Sequence, residues 1–151
     1  MLTGRTFKLH QSGKQQMISF RVDKFGFIRI SFTRNRNFST LEFPIIEVRS
    51  NGVSFCRHLK NGVSYSKKKF PYSFTEGTIY DFFMVTKGTE VKFGILRNGT
   101  YKTIGFFNYL ELDSLPYVGF SSELETIWII ENGEIDPLIC LSVKYFCSQI
   151  W

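Results

Sequence analysis

The sequence predicts an all-β fold, a two-sheet antiparallel β-sandwich with short hairpin turns. The dipeptide Asn-Gly, which tolerates the positive φ angles of a type I′ turn, occurs between β-branched and aromatic residues at 51–52, 61–62 and 98–99. The 151 residues contain no alanine, the best helix former, but 17 phenylalanines, which favour a pleated surface. A chain that turns back within so few residues pairs its strands antiparallel, and many short strands at this spacing indicate a sandwich.

The first part of the chain predicts an arm and two strands. Residues 1–16 are polar and predict an N-terminal arm or a ragged first strand. Strands are predicted over 18–22 and 27–33, joined by the short connection at 23–26. In the second of these strands polar and apolar residues alternate, so we expect one face in the core and the other in solvent. A basic loop follows at 34–39.

The middle of the chain predicts two three-stranded meanders. The first uses the Asn-Gly turns at 51–52 and 61–62 and comprises strands 45–49, 53–59 and 63–67. The second uses turns at Lys87-Gly88 and Asn98-Gly99 and comprises strands 80–86, 90–96 and 101–107. The predicted sandwich is completed by strands 117–121 and 126–130 and a turn at 131–134.

The length suits one domain with flanking segments. We divide the chain into the N-terminal arm or ragged strand (1–16), the sandwich (17–131) and a C-terminal segment (132–151). The C-terminal segment lacks clean alternation, so it is either a tail or an extra edge strand such as 141–146. No signal-type apolar segment follows Met1 and no run approaches about 20 apolar residues, so we predict no transmembrane segment and, by default, a cytoplasmic location.

Residues for catalysis, cofactor binding or metal binding are not apparent in the sequence. No Gly-rich phosphate-binding turn occurs, and the two histidines are His10 and His58. Cys56 and His58 lie two residues apart on one predicted strand, an arrangement that is rarely poised for nucleophilic catalysis. Together with Cys140 and Cys147, Cys56 makes an odd number of cysteines without a C-x-x-C pair, so we expect free thiols. We predict no catalytic residues, no metal ligands and no cofactor.

Charge is distributed unevenly along the chain. Residues 1–70 hold 14 basic and 3 acidic side chains, a formal charge of +11, whereas residues 71–151 hold 5 basic and 10 acidic side chains, a formal charge of −5. The basic half can attract an anionic partner, and the alternative is a dipolar domain whose two sheets present opposite charges. Nucleic-acid binding is not indicated, because none of the common recognition motifs is present.

A mixed aromatic and basic surface is predicted on the first meander. If both turns have two residues, Arg49 pairs near residue 54 and Arg57 near residue 66, which places Phe55 and Arg57 on one face. The candidate ligand-binding residues on this face are Phe55, Arg57, Ser64 and Lys68. Such a surface suits anionic or planar ligands if the Phe55 ring is exposed. The alternative is that the aliphatic stem of Arg57 covers the ring.

Three blocks of the sequence carry a resemblance to a known family. They are Phe43 to Val48 followed by Val53 to Arg57, Asp81 to Val85 followed by Glu90 to Gly94, and Leu115 to Ser121 with Trp128. In their order and spacing, residues 18–130 resemble the farnesoic acid O-methyltransferase-like domain of insect and crustacean proteins. The meanders also bear a weaker resemblance to galectin-type sandwiches.

These resemblances imply three functions. The leading hypothesis is a non-catalytic recognition module of the farnesoic acid O-methyltransferase-like family, which binds a protein, a glycan or a small ligand. The family name implies the first alternative, a methyltransferase acting on farnesoic acid in juvenile-hormone-type biosynthesis. The galectin resemblance implies the second, carbohydrate binding through a stacking tryptophan with His, Asn and Arg on adjacent strands. Residues 34–37 fit part of that pattern, and Trp128 is interpreted as a core residue.

Overall fold

The chain folds into two packed antiparallel β-sheets, as the sequence predicts. The computed structural model describes residues 3–8, 16–34, 44–58, 65–109, 112, 115, 117–122 and 127–134. These residues form eleven strands and no α-helix. The six-stranded sheet has the order β1-β10-β3-β4-β5-β6, and the five-stranded sheet has the order β11-β2-β7-β8-β9.

Most strand bounds lie within two residues of the prediction, whereas β6 ends four residues beyond its predicted end at 67 and β11 four residues beyond 130. The six-stranded sheet contains β1 (Thr3–Lys8), β3 (Ile28–Thr33), β4 (Ile45–Arg49), β5 (Gly52–His58), β6 (Tyr65–Pro71) and β10 (Tyr117–Ser122). The five-stranded sheet contains β2 (Gln16–Val22), β7 (Tyr80–Lys87), β8 (Glu90–Arg97), β9 (Thr100–Asn108) and β11 (Ile127–Glu134). Both predicted meanders are confirmed, since β4-β5-β6 and β7-β8-β9 are consecutive neighbours in their sheets.

Aromatic side chains fill the space between the two sheets. Phe20 on β2 stacks against Phe82 on β7, with ring centroids 5.3 Å apart, and meets Phe120 of the opposite sheet edge-on at 4.9 Å. All three rings are buried, and such pairs stabilise a core beyond the effect of area alone. On β3 the apolar residues Ile28, Ile30 and Phe32 are fully buried, as predicted. The expectation that the other face of β3 lies in solvent is wrong for Ser31 and Thr33, which are also buried.

In the first hairpin of the β4-β5-β6 meander, the turn lies one residue earlier in the sequence than predicted. Arg49 pairs with Gly52 rather than near residue 54, so the turn is formed by Ser50 and Asn51. Gly52 belongs to β5, where its φ is +147° and a Cβ atom would collide with the carbonyl oxygen of Phe70. The glycine is therefore needed for close approach of β6, and not for the turn itself. The second pairing is as predicted, because Arg57 lies opposite Ser66.

The remaining turns give a mixed outcome. Asn98 and Gly99 have φ angles of 52° and 74°, which fits the predicted turn. Lys87 pairs with Glu90, so Gly88 and Thr89 form the preceding turn instead of Lys87 and Gly88. Gly88 supplies the positive φ there, at 59°. The predicted turn at 61–62 lies outside the described residues.

The strand β11 continues through the segment that was predicted to be a turn. It pairs with β2 as far as Glu134, with a register shift between Ile129 and Glu131. Because β2 offers a partner along this length, the Asn132-Gly133 pair is held in the ladder and no turn forms. The strand therefore crosses the domain boundary placed at residue 131, while the tail or edge strand at 135–151 lies outside the described residues. The side chain of Trp128 also lies outside them.

Candidate functional site

The outer surface of strands β3 to β6 carries a cluster of charged side chains, which we call the basic face. It comprises Arg29, Glu47, Arg49, Lys67 and Lys69. The ladder creates it, because directly paired residues share one side of a sheet. Arg29 pairs with Glu47, Glu47 with Ser54, and Ser54 with Lys69, so a polar row crosses all four strands.

Glu47 lies at the centre of the basic face and is shared by three cations. Its carboxylate oxygens are 3.8 Å from Arg29 Nη2, 3.3 Å from Arg49 Nη2 and 3.5 Å from Lys67 Nζ. The Glu47 side chain is only 11% exposed, so little water reaches the carboxylate that these cations surround. The arrangement holds three long basic side chains in place around one carboxylate.

An aromatic ring restrains the two arginines from the other side. The guanidinium of Arg49 lies 4.2 Å from the ring centroid of Phe27, and that of Arg29 lies 5.1 Å from it. Both distances are typical of cation–π contacts. Among the described groups, no hydrogen-bond acceptor reaches the buried Nε of Arg29. The basic face is therefore organised by contacts within the fold before any ligand arrives.

Two shallow depressions meet at Arg49. One, of about 420 Å³, is lined by basic-face residues and by Asn51 and Ser54. The other, of about 260 Å³, lies beside Phe27 and also includes Asn51. With four cations and one carboxylate, the basic face has a formal charge of +3. It offers donors and positive charge to an oxygen-rich ligand.

Cys56 lies on the side of β5 that belongs to the basic face, and its environment is not that of a nucleophile. Its thiol is free and buried, at 2% exposure. Burial, followed by the negative charge of Glu47, raises the pKa of the Cys56 thiol above its ordinary value. A thiol in this state stays protonated near neutral pH, whereas the thiolate is the reactive form. The expectation of a free thiol is confirmed for Cys56, while Cys140 and Cys147 lie outside the described residues.

The structure brings together three of the four predicted site residues. Phe55, Arg57 and Lys68 line a groove of about 360 Å³, which we call the edge groove. Its other lining residues are Lys67, Phe107 and Asn108. Ser64 lies outside the described residues. The edge groove runs along the side of the sandwich where β6 and β9, the last strands of their sheets, come together.

The aromatic ring exposed near the edge groove is different from the one predicted. Phe55 is only 4% exposed and stacks on Phe107 with ring centroids 4.3 Å apart, so the hypothesis of an exposed Phe55 ring is wrong. Phe106 is 58% exposed instead. Lys68 Nζ lies 4.5 Å from the ring centroid of Phe106 and 5.1 Å from that of Phe70.

Sequence reasoning missed the basic face and Phe106 for different reasons. The basic face could have been found by extending the pairing of β4 and β5 to β3 and β6, which aligns Arg29 with Glu47 and Lys69. The exposure of Phe106 could not have been found in this way, because β9 contains a register shift opposite Phe93 and Gly94. Beyond such a bulge, each residue points to the face opposite to the one that strict alternation predicts, and the sequence pattern does not show where the bulge occurs.

Comparisons with known proteins show similarity in fold and no similarity to a known family or curated sequence. No protein-family model matches this sequence, and no curated protein is similar to it at a significant level. The resemblance to the farnesoic acid O-methyltransferase-like family thus stays a prediction.

In the described residues, no helix is long and apolar enough to span a membrane. Those residues also contain no group of three or more His, Cys, Asp or Glu side chains that could hold a metal ion.

Solved galectin structures share the architecture of this chain. Sheep galectin-11 in complex with glycerol aligns with a TM-score of 0.62 at 14% identity, covering 88% of this chain and 96% of that one. A tetrameric galectin from the ball sponge Cinachyrella sp. gives 0.54 at 12% identity, covering 89% and 100%. The Caenorhabditis elegans galectin LEC-6 gives 0.51 at 12% identity, covering 87% and 96%. At these identities the likeness establishes a galectin-like sandwich fold.

Proposed function

We propose that this chain is a non-catalytic recognition module that binds an anionic glycan through the basic face. The observation that carries the proposal is the cluster around Glu47, in which one carboxylate holds three cations on the outer surface of a galectin-like sandwich. The galectin neighbours support a glycan as the ligand class. The charge of the cluster supports an anionic glycan within that class.

The aromatic contacts favour an anionic sugar over a neutral one. A neutral sugar is commonly held by stacking of its apolar side on an aromatic ring. Phe27 lies against the basic face, and Arg49 and Arg29 already contact its ring. A sulfate or carboxylate instead accepts charge-assisted hydrogen bonds, each worth roughly 1.5–3 kcal/mol, from guanidinium and ammonium groups.

Organisation of the cations before binding also favours affinity. Ordering a long side chain on binding costs about 0.5–1.5 kcal/mol. Arg29 and Arg49 are already restrained between Glu47 and Phe27. When an anion binds, less free energy is therefore lost in ordering these two arginine side chains.

The proposal is tested by calorimetry with a panel of sulfated, uronate-containing and neutral oligosaccharides at low salt. The double variant Arg49→Ser/Lys69→Ser should weaken binding of the anionic members by about a hundredfold, since it removes two charged donors. The matched control is Arg97→Ser, which removes an exposed cation at the end of β8 in the other sheet and should bind like the wild type.

Three results would count against the proposal. They are absence of binding to any anionic member, equal binding by the double variant, or stronger binding of neutral sugars. The methyltransferase alternative is tested in the same experiment by adding S-adenosylmethionine. Micromolar binding of that methyl donor would favour the farnesoic acid O-methyltransferase-like function over glycan recognition.

A further inference from the structure

The strand β6 carries three consecutive lysines at an open edge of the sandwich. Lys67, Lys68 and Lys69 lie in the middle of the strand, and all three are exposed. β6 is the last strand of the six-stranded sheet, and within the described part of the chain no strand pairs with its outer side. Among the described residues, its outward N–H and C=O groups therefore have no strand partner, and a ligand can contact them there.

Alternation divides the three lysines between two surfaces. Lys67 and Lys69 pair with Cys56 and Ser54 and belong to the basic face. Lys68 pairs with Phe55 and lies on the opposite side of the strand, in the edge groove. On an interior strand such a residue would be forced into the core, but at the edge its ammonium group rests over the rings of Phe70 and Phe106.

The basic face and the edge groove form one continuous cationic band. Lys67 lines both the edge groove and the larger depression on the basic face. From there the band continues to Arg49 and Lys69 on one side of β6, and to Lys68 and Arg57 on the other. The positive charge thus bends around the strand edge and is not confined to one flat surface.

We propose that the ligand is a linear polyanionic polysaccharide that crosses the edge of β6, with one anionic group on the basic face and another in the edge groove. This inference rests on the proposed function and specifies its substrate class. A single sulfate or carboxylate cannot serve both sides, because Lys68 and its neighbours project in opposite directions from the strand. The chain of sugars between the two groups lies against this edge, where its hydroxyls meet backbone groups that no described strand pairs with.

The aromatic content of the band favours a polysaccharide over a nucleic acid. Proteins that bind single-stranded nucleic acids stack successive bases on a series of aromatic side chains. Along the described part of the band one large aromatic ring, that of Phe106, is strongly exposed, and Lys68 contacts it. One such ring does not supply the series of stacking surfaces that a single-stranded nucleic acid uses, whereas several cations suit a polysaccharide with charged substituents.

The test compares sulfated oligosaccharides of different length, such as a heparin-type disaccharide and octasaccharide. The wild type should bind the octasaccharide at least about tenfold more tightly than the disaccharide, because only the longer chain reaches both sides of β6. The double variant Arg57→Ser/Lys68→Ser should lose most of this difference while keeping its affinity for the disaccharide. The logarithm of its octasaccharide affinity should also depend less steeply on the logarithm of salt concentration.

Controls separate loss of contact from loss of fold. Lys68→Arg keeps the positive charge and should retain octasaccharide binding, and thermal unfolding shows whether each variant is folded. If Arg57→Ser/Lys68→Ser binds the octasaccharide like the wild type while Arg49→Ser/Lys69→Ser does not, the edge crossing is refuted and the proposed function stands. If neither oligosaccharide binds the wild type, both are refuted. Equal competition by single-stranded DNA of similar charge would refute the preference for a polysaccharide.

Discussion

Glu47 is the residue on which the order of the basic face depends. It is the acidic member of a cluster that otherwise contains Arg29, Arg49, Lys67 and Lys69, and three of these cations contact its carboxylate. Removing its charge leaves neighbouring cations that repel one another. The residue therefore acts as an organiser of the cations that face a ligand.

Glu47→Gln should lower the free energy of unfolding by about 1 kcal/mol at low salt, because the pairs are part-exposed and each is weak. The deficit should shrink in concentrated salt, which screens repulsion among the remaining cations. Denaturant unfolding at low and high salt measures both effects. Glu90→Gln, at an exposed position on β8, is the control and should change the stability by less than about 0.5 kcal/mol. Equal stability of Glu47→Gln and the wild type would refute the organising role.

The thiol of Cys56 gives the protein a pH dependence with a defined sign. Its pKa is raised in the folded state, so its contribution to stability is complete below the ordinary thiol pKa of about 8.5 and is lost as pH rises through the folded value. In a Cys140→Ser/Cys147→Ser background, the free energy of unfolding should therefore fall more between about pH 7.5 and pH 10 than in the same chain with Cys56→Ala. Equal losses in the two proteins would contradict the assignment.

At the level of residues, the sequence predicted which side chains meet better than how they are exposed. Phe55, Arg57 and Lys68 do line one groove. The face on which each of them lies follows from the alternation of side chains along a strand. The predicted β4-β5 register is wrong by two residues, and a shift by an even number of residues does not change that face. Exposure depends on the opposite sheet, where Phe107 covers Phe55. No local pattern contains that information.

Among the elements, the hairpin of β4 and β5 shows why glycine placement matters. Gly52 lies where β6 approaches β5, and any side chain there would meet the backbone of Phe70. Gly99 also has a positive φ, but a Cβ atom there would have open space around it. Gly99 therefore shows the conformational requirement alone, whereas Gly52 combines a positive φ with a steric requirement.

Gly52→Ala should destabilise the protein by about 2 kcal/mol or more, because the new methyl group forces β6 away from β5. Gly99→Ala should cost about 1 kcal/mol, the strain of a left-handed conformation alone. Chemical denaturation of both variants gives the comparison. Similar losses in the two variants would show that close approach of β6 does not require glycine at position 52.

Element types were predictable, whereas turn positions and irregularities were not. Alternation and Asn-Gly pairs located most of the strands because they report the local backbone preference. The turn at Ser50-Asn51 and the continuation of β11 past Asn132 depend on neighbouring strands. These strands pair with residues that the sequence pattern assigns to a turn. The register shifts in β9 and β11 have no comparable signal in the sequence.

For the whole molecule, positive charge is most concentrated on four strands of one sheet. Strands β3 to β6, from the basic first half, are consecutive neighbours in the six-stranded sheet. The strands β7, β8 and β9 form part of the other sheet and carry four basic and two acidic side chains, a formal charge of +2. Strands β3 to β6 carry six basic side chains and one acidic side chain, so the positive charge is denser near the basic face and the edge at β6. Such a field attracts anions and accelerates their association at low salt.

The lysines of β6 have a further consequence, for solubility. An open strand edge is a template on which another molecule can add a strand, and repeated addition leads to aggregation. Incoming strands would have to approach Lys67, Lys68 and Lys69 and strip water from their charges. The same three residues that would contact a ligand thus keep the sheet from growing between molecules. Variants that neutralise them should be compared with the wild type in dilute solution, where self-association does not obscure ligand binding.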